Sequence, residues 1–228
     1  MEPLLRNIKE VYEPEGRRAR LVQLSDNPPT CTLGYSEIPP GGSSSHHIHP
    51  WEHEVYIIKG SGTLVCDGKE YPVKQGDAMF IPPNTDHYTL NNGGQGDIHR
   101  IEVNPLIAAQ SGGGGNQGGQ GTGQPPVIRN LSEIDTSDGP ARHILSAKDG
   151  ATNYIMAYRG LDPGSNAPKH AHPGEHMGFV IQGRCILQVD GKDYEVKEGD
   201  VALVPPNAEH EWRSNSDQKA AWLVFNPA

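Results

Sequence analysis

Cysteine is scarce in this chain. Only Cys31, Cys66 and Cys185 occur among its 228 residues. They are isolated, odd in number and form no C-x-x-C pair, which argues against a disulfide framework and suits free thiols in a reducing cytoplasm. Positive charge is also short: 19 Lys and Arg stand against 28 Asp and Glu, for a net charge of −9. With no basic stripe to neutralise phosphates, nucleic acid is not an expected partner. No apolar run approaches the roughly 20 residues of a transmembrane helix, so no membrane association is expected. Residues 1–20 carry charges of both signs and lack the apolar stretch of a secretory signal, which points to the same cytoplasmic location. Long amphipathic helices are missing too.

What the chain does have is an internal copy of itself. Pro3-Leu4-Leu5-Arg6-Asn7-Ile8 returns as Pro126-Val127-Ile128-Arg129-Asn130-Leu131, an offset of 123. Asp67-Gly68-Lys69 returns as Asp190-Gly191-Lys192, and Gly76-Asp77 as Gly199-Asp200. The match runs without a gap over residues 3–92; one residue is lost near the end, so that Asn104-Pro105 matches Asn226-Pro227. The period is far too long for a solenoid, so this is a duplicated domain. Residues 1–105 and 125–228 are the two copies, joined by residues 106–124, whose Gly/Gln-rich composition reads as flexible coil, partly ordered if the copies pack together.

Within each copy the predicted elements are short strands. In the first they cover residues 30–38, 55–59, 63–66, 70–73, 78–81, 87–91 and 98–103, separated by Gly, Pro and Asn turns. Asp67-Gly68 is a type I′ hairpin signal. Residues 6–12 read as a helical turn or an edge strand. The fold class is therefore all-β, an antiparallel sandwich or barrel in each copy.

Eight of the eleven histidines fall into two matching sets. His47, His49 and His53 are followed by His87, after the turn Pro82-Pro83-Asn84. His170, His172, His176 and His210 repeat the pattern, whereas His46, His99 and His143 stand outside it. On a strand, residues two apart share a face, so His47 and His49 can aim at one point. Converging neutral imidazoles suit a divalent transition metal: Mn, Fe, Ni, Cu, Co or Zn. One ion per copy gives two per chain.

Gly41, His47, His49, His53 and Gly60 resemble the first motif of the cupin family, and Gly76, Pro82 and His87 resemble the second. Gly164, His170, His172, His176, Gly183, Gly199, Pro205 and His210 repeat both. The resemblance covers nearly everything but the linker and implies two tandem cupin-type jelly-roll β-barrels, each holding one metal. The usual third ligand in that family is a Glu; here the place belongs to His53 and His176. Glu54 is one residue out of register, which points it to the opposite face, and its counterpart is Met177. The set therefore resembles the four-histidine subgroup of small cupins.

Four neutral ligands leave a dication its full charge, and on an octahedral ion they leave two positions for substrate or oxygen. The expected function is a metal-dependent oxidoreductase of dioxygenase type acting on a small organic substrate. The alternatives are a metal-dependent sugar or sugar-acid isomerase or lyase, and a non-catalytic binding or storage cupin. Glu52 and Glu175, each one residue before the third histidine, are candidates to orient the imidazoles; the other reading is a solvated strand-edge glutamate. Thr89 and Trp212 share the ligand face by strand parity, and core packing is the expected role of Trp212. Cys66 and Cys185 read as buried thiols on strands. The two barrels are expected to pack together, with residues 3–11 and 126–134 crossing between them; further homo-oligomerisation is left open.

Overall fold

A computed structural model describes residues 2–111 and 121–228. The first half contributes β1 (Leu4–Asn7), α1 (Ile8–Val11), β2 (Tyr12–Glu13), β3 (Arg18–Val22), β4 (Cys31–Ile38), β5 (His53–Lys59), β6 (Ser61–Cys66), β7 (Lys69–Lys74), β8 (Asp77–Ile81), β9 (His87–Leu90) and β10 (Ile98–Pro105). Next come α2 (Leu106–Gln110) and, in the second half, β11 (Val127–Asn130), β12 (Arg142–Leu145), β13 (Tyr154–Leu161), β14 (Asn166–His170), β15 (His176–Gln182), β16 (Arg184–Val189), β17 (Lys192–Lys197), β18 (Asp200–Val204), β19 (His210–Ser214) and β20 (Ala220–Pro227).

The turns follow from local chemistry. Asp67 and Gly68 both have positive φ, at 48° and 73°, the type I′ geometry that keeps β6 and β7 in register from Cys66↔Lys69 to Ser61↔Lys74. Asp190 and Gly191 repeat it at 47° and 80°. Asn84 and Asn207 take left-handed φ values of 58° and 62°. Asn tolerates that region better than most residues, and these are the turns that deliver His87 and His210.

Each half is a pair of facing antiparallel sheets, not a single sheet hydrogen-bonded into a closed barrel. The first half has a large sheet ordered β11-β8-β5-β10-β4-β3-β2 and a small one ordered β7-β6-β9; in the second the orders are β1-β18-β15-β20-β13-β12 and β14-β19-β16-β17. The first strand of each copy has thus crossed to the other's large sheet. β1 pairs with β18 from Leu4↔Leu203 to Asn7↔Asp200, and β11 pairs with β8 from Val127↔Phe80 to Asn130↔Asp77. The segment left between strand and helix is both: β1 runs straight into α1, whose capping box is formed by Asn7 and Glu10.

Three apolar cores result. Val55, Ile57, Leu64, Met79 and Ile81 fill the first half, and Val180, Leu187, Val204, Trp212 and Trp222 fill the second. The largest lies between the halves, where Tyr35, Tyr56, Phe80 and Val103 meet Tyr154, Tyr158, Phe179 and Phe225. Alternation along β5 explains it: Val55 and Ile57 face inward while Tyr56 faces the other half. Polar bonds fasten the crossed strands. Asn7 donates to Asp200 at 2.5 Å and Asn130 to Asp77 at 2.6 Å. Arg6 and Arg129 reach back to their own halves, binding both carboxylate oxygens of Asp26 and Asp149.

The connecting segment is ordered where it meets the two halves. Residues 106–110 are helical, and past the gap Thr122 donates to the Asn84 carbonyl at 3.1 Å and Gly123 to the Asp67 carboxylate at 2.7 Å. The rest of the expected coil, residues 112–120, lies outside the described residues.

Two outcomes follow. Halves separated within residues 112–123 and expressed alone should aggregate, lose stability or associate with each other; two soluble monomers as stable as the full chain in denaturant titrations would refute the shared core. Phe179, 1 % exposed in that core, should cost about 3–5 kcal/mol when replaced by Ala, read as a lower denaturation midpoint.

Candidate metal centres

The first histidine stretch is not a regular strand. His47 forms an isolated bridge with His87, exchanging backbone bonds at 3.3 and 2.9 Å. The turn before His87 is tied to the same stretch, since Asn84 donates to the His49 carbonyl at 2.7 Å. Pro50 then lets the chain bend before His53 opens β5, and His87 opens β9. In the second half His170 ends β14 and pairs with His210 at the start of β19, His172 lies beyond the strand, and His176 opens β15. Asn207 donates to the His172 carbonyl at 2.9 Å.

These elements bring both sets together. The ring nitrogens of His47, His49, His53 and His87 lie within 4.8 Å of one another, as do those of His170, His172, His176 and His210. An ion bonded to imidazoles at about 2.1 Å spaces its ligand atoms about 3–4.2 Å apart, so modest side-chain motion brings either set onto one centre.

Backbone carbonyls fix most of the rings. Nδ1 of His49 donates to the Trp51 carbonyl at 2.8 Å, and Nδ1 of His87 to that of Thr85 at 2.8 Å. His170, His172 and His210 do the same to Pro168, Gly174 and Ala208 at 2.8, 2.7 and 3.0 Å. With the proton held on Nδ1, the Nε2 lone pair is free. Nε2 of His49, His53, His172, His176 and His210 is buried without any hydrogen-bond partner. Nδ1 of His53 also sits 3.2 Å from Nε2 of His87, within hydrogen-bond reach.

Burial favours the neutral form of the enclosed imidazoles. It pushes His49 down to about 4 and His87 to about 3, and holds His53 and His176 well below the ordinary imidazole value, with the neighbouring imidazoles adding to the effect. Neutral rings with outward-directed lone pairs are the form that binds a divalent ion. The donor sets fit the expected group.

Sequence reasoning missed the charges beside the imidazoles. In the first half, Arg100 on β10 donates Nε to Ser36 at 3.1 Å, approaches Thr89 and forms an ion pair with Glu102. Glu102 comes within 4.0 Å of His53 Nε2. In the second half the corresponding positions hold Trp222 and Val224, while Arg159 stands where Ser36 stood. The available signal was a charged residue at inward parity on a strand, read against its copy.

The glutamates flanking the third histidines do not orient imidazoles, nor are they solvated. Glu52 is 1 % exposed. Its carboxylate accepts from the Thr152 and Asn153 backbone N–H groups and the Thr152 hydroxyl, at 2.7–3.1 Å, across the boundary between the halves. Glu175 is equally buried. Glu54 faces away from the histidines, opposite Phe80 of the shared core. Neither of its oxygens has a hydrogen-bond partner, and burial, reinforced by Glu52, pushes its carboxyl well above the usual range. Of the remaining histidines, His46 meets Asp86 at 2.8 Å and His99 meets Tyr35 at 2.5 Å; both are away from the clusters. Cys31, Cys66 and Cys185 are buried free thiols on strands. Trp212 packs in the core of the second half and also lines the cavity beside its histidines.

The family described as Cupin domain matches residues 34–103 and 157–226, together more than half of the chain. An uncharacterized protein of Methanocaldococcus jannaschii is 35% identical over 63 residues, 27% of this chain and 50% of that protein. The oxalate-binding protein of Thermotoga maritima is 35% identical over 72 residues, 31% of this chain and 59% of its own length. The match thus spans about half of these relatives. Among solved structures, a variant of Bacillus subtilis oxalate decarboxylase superposes with a TM-score of 0.75 at 17% identity, covering 97% of this chain and 76% of that one. Salicylate 1,2-dioxygenase from Pseudoaminobacter salicylatoxidans gives a TM-score of 0.73 at 13% identity, covering 99% and 81%. At such identities the likeness is one of fold.

Elemental analysis of the full chain should find two divalent ions per molecule, one for each cluster. His53→Ala should remove about half of that content, because three imidazoles leave the ion under-coordinated and open to solvent. Glu54→Gln should leave it unchanged. Metal retained in His53→Ala but lost in Glu54→Gln would reverse the assignment.

Proposed function

The chain belongs to the cupin family, and we propose that it is a metal-dependent oxidoreductase of dioxygenase type acting on a small organic substrate. One observation carries this reading: each half gathers four imidazoles, and the buried Nε2 atoms of His49, His53, His172, His176 and His210 have no protein partner. The ligands would be His47, His49, His53 and His87 in the first half and His170, His172, His176 and His210 in the second. A divalent ion held there supplies Lewis acidity towards a bound oxygen atom, undiminished by any carboxylate ligand. That a dioxygenase shares the fold supports the choice of reaction class.

The protein's own groups do the rest. Backbone carbonyls hold the Nδ1 protons and so keep the rings oriented without reorganisation. His170 is exposed while His176 and His210 are buried, so the second cluster is approached from the His170 side. Trp212 and Trp222 wall that cavity and exclude water from its apolar side. In the first half the Glu102 carboxylate, held by Arg100, lies where a proton could be accepted or returned beside His53.

Glu102 is also the specific observation favouring a second reading, a sugar-acid isomerase or lyase, in which a carboxylate moves a proton while the ion polarises a carbonyl. An oxygen electrode separates the two. With metal-loaded protein and a panel of small hydroxylated acids and phenols, the first reading expects substrate-dependent oxygen uptake that His53→Ala or His176→Ala lowers by at least about tenfold. Turnover of unsaturated uronates or aldoses without oxygen uptake would replace it with the second.

A further inference from the structure

The two halves differ most in what faces their histidines. Along β13, Met156 and Tyr158 belong to the core between the halves, whereas Ala157 and Leu161 pack into the interior of the second half. Arg159 shares the parity of Ala157 and Leu161. It lines a cavity of about 340 Å³ together with His170, His172, His176, Trp212 and Trp222. That volume suits a small ligand.

The donors in this wall lack acceptors. Nε of Arg159 is buried with no hydrogen-bond partner, and so are the indole N–H groups of Trp212 and Trp222, the two tryptophans being only 1 % exposed. Among the described residues no carboxylate forms an ion pair with Arg159. Burial disfavours its charged form, Asp138 attracts it without contact, and Arg142 repels it. The two indoles stack at 4.3 Å and 16°, making a flat apolar surface.

The first half shows the same need met internally. Arg100 occupies the same cross-strand pair from the opposite strand: Arg100↔Ser36 there, Trp222↔Arg159 here. Arg100 has Ser36 and Thr89 as acceptors and Glu102 as counter-charge. Val224 takes the place of Glu102 in the second half, so the positive charge there is left without a partner.

We propose that the cavity of the second half binds an organic carboxylate, with the Arg159 guanidinium receiving the anion and Trp212 and Trp222 covering its flat, apolar body. A guanidinium fork matches a carboxylate in both geometry and charge. The apolar lining from Ala167 and Val224 favours a planar carbon skeleton over a strongly hydrated anion. The proposal rests on the metal-centre reading for what the anion is there to undergo, but binding to Arg159 does not require the ion.

Tryptophan fluorescence tests it, since two of the three tryptophans line the cavity. Benzoate and its neutral analogue benzamide are titrated into the full chain, metal-free and metal-loaded. Benzoate should bind at one site per chain, about tenfold or more tighter than benzamide. Arg159→Gln should abolish that preference, Arg159→Lys should keep part of it, and Arg100→Gln should leave it intact. Circular dichroism verifies folding of each variant. Equal binding of the two probes, or an unchanged preference in Arg159→Gln, overturns the site. Elemental analysis of the same samples keeps the ideas apart. Two ions per chain with no Arg159-dependent binding defeats the anion site alone. Arg159-dependent binding in protein that takes up no metal on loading supports the anion site and defeats the metal reading.

Discussion

Both faces of each large sheet are buried, one over the histidines and one against the other half, and the remaining structure depends on that double burial. It explains why β8 and the first six residues of β20 are buried at every position and why neighbours such as His53 and Glu54 have opposite fates. His53 turns to the first cluster. Glu54 turns into the shared core, where a carboxyl without a hydrogen-bond partner stays uncharged because ionisation there is costly. Glu52 takes the opposite solution in the same region, remaining acceptor to three donors of the second half. The clusters and the interface are thus two sides of one sheet.

The rigidity of the clusters comes from main-chain atoms. Five rings donate to a carbonyl two residues away in sequence, so each orientation is set by the same turn that places the histidine. This leaves the side chains around the clusters free to differ, and they do. An Arg–Glu pair neutral in sum stands beside the first cluster; a lone guanidinium and two indoles stand beside the second. The charge beside the two clusters therefore differs, and such a difference separates substrates by their own charge.

Much of this was legible in the sequence. Asp-Gly pairs fixed two hairpins, Gly and Pro punctuation marked the strands, and the duplicated spacing gathered the eight histidines. The crossing of the first strands was readable from their being repeated and apolar enough to pair. Other features were not readable, for physical reasons. The backbone around His47 and His49 is irregular because it is held by a bridge to His87, forty residues on. The role of Glu52 is set by partners one hundred residues away. Alternation gives the face of Arg100 and Arg159, but only the pairing of β4 with β10 and of β13 with β20 shows that they fill one location from opposite strands.

The exchange of β1 and β11 makes the chain equivalent to a swapped homodimer whose subunits share one polypeptide. In a true homodimer every substitution appears twice, and a change that suits one centre is imposed on its mate. Fusion removes that symmetry. The two centres can differ while the interface that needs both halves is kept, and the arginine that stands on β10 in one half and on β13 in the other is such a difference.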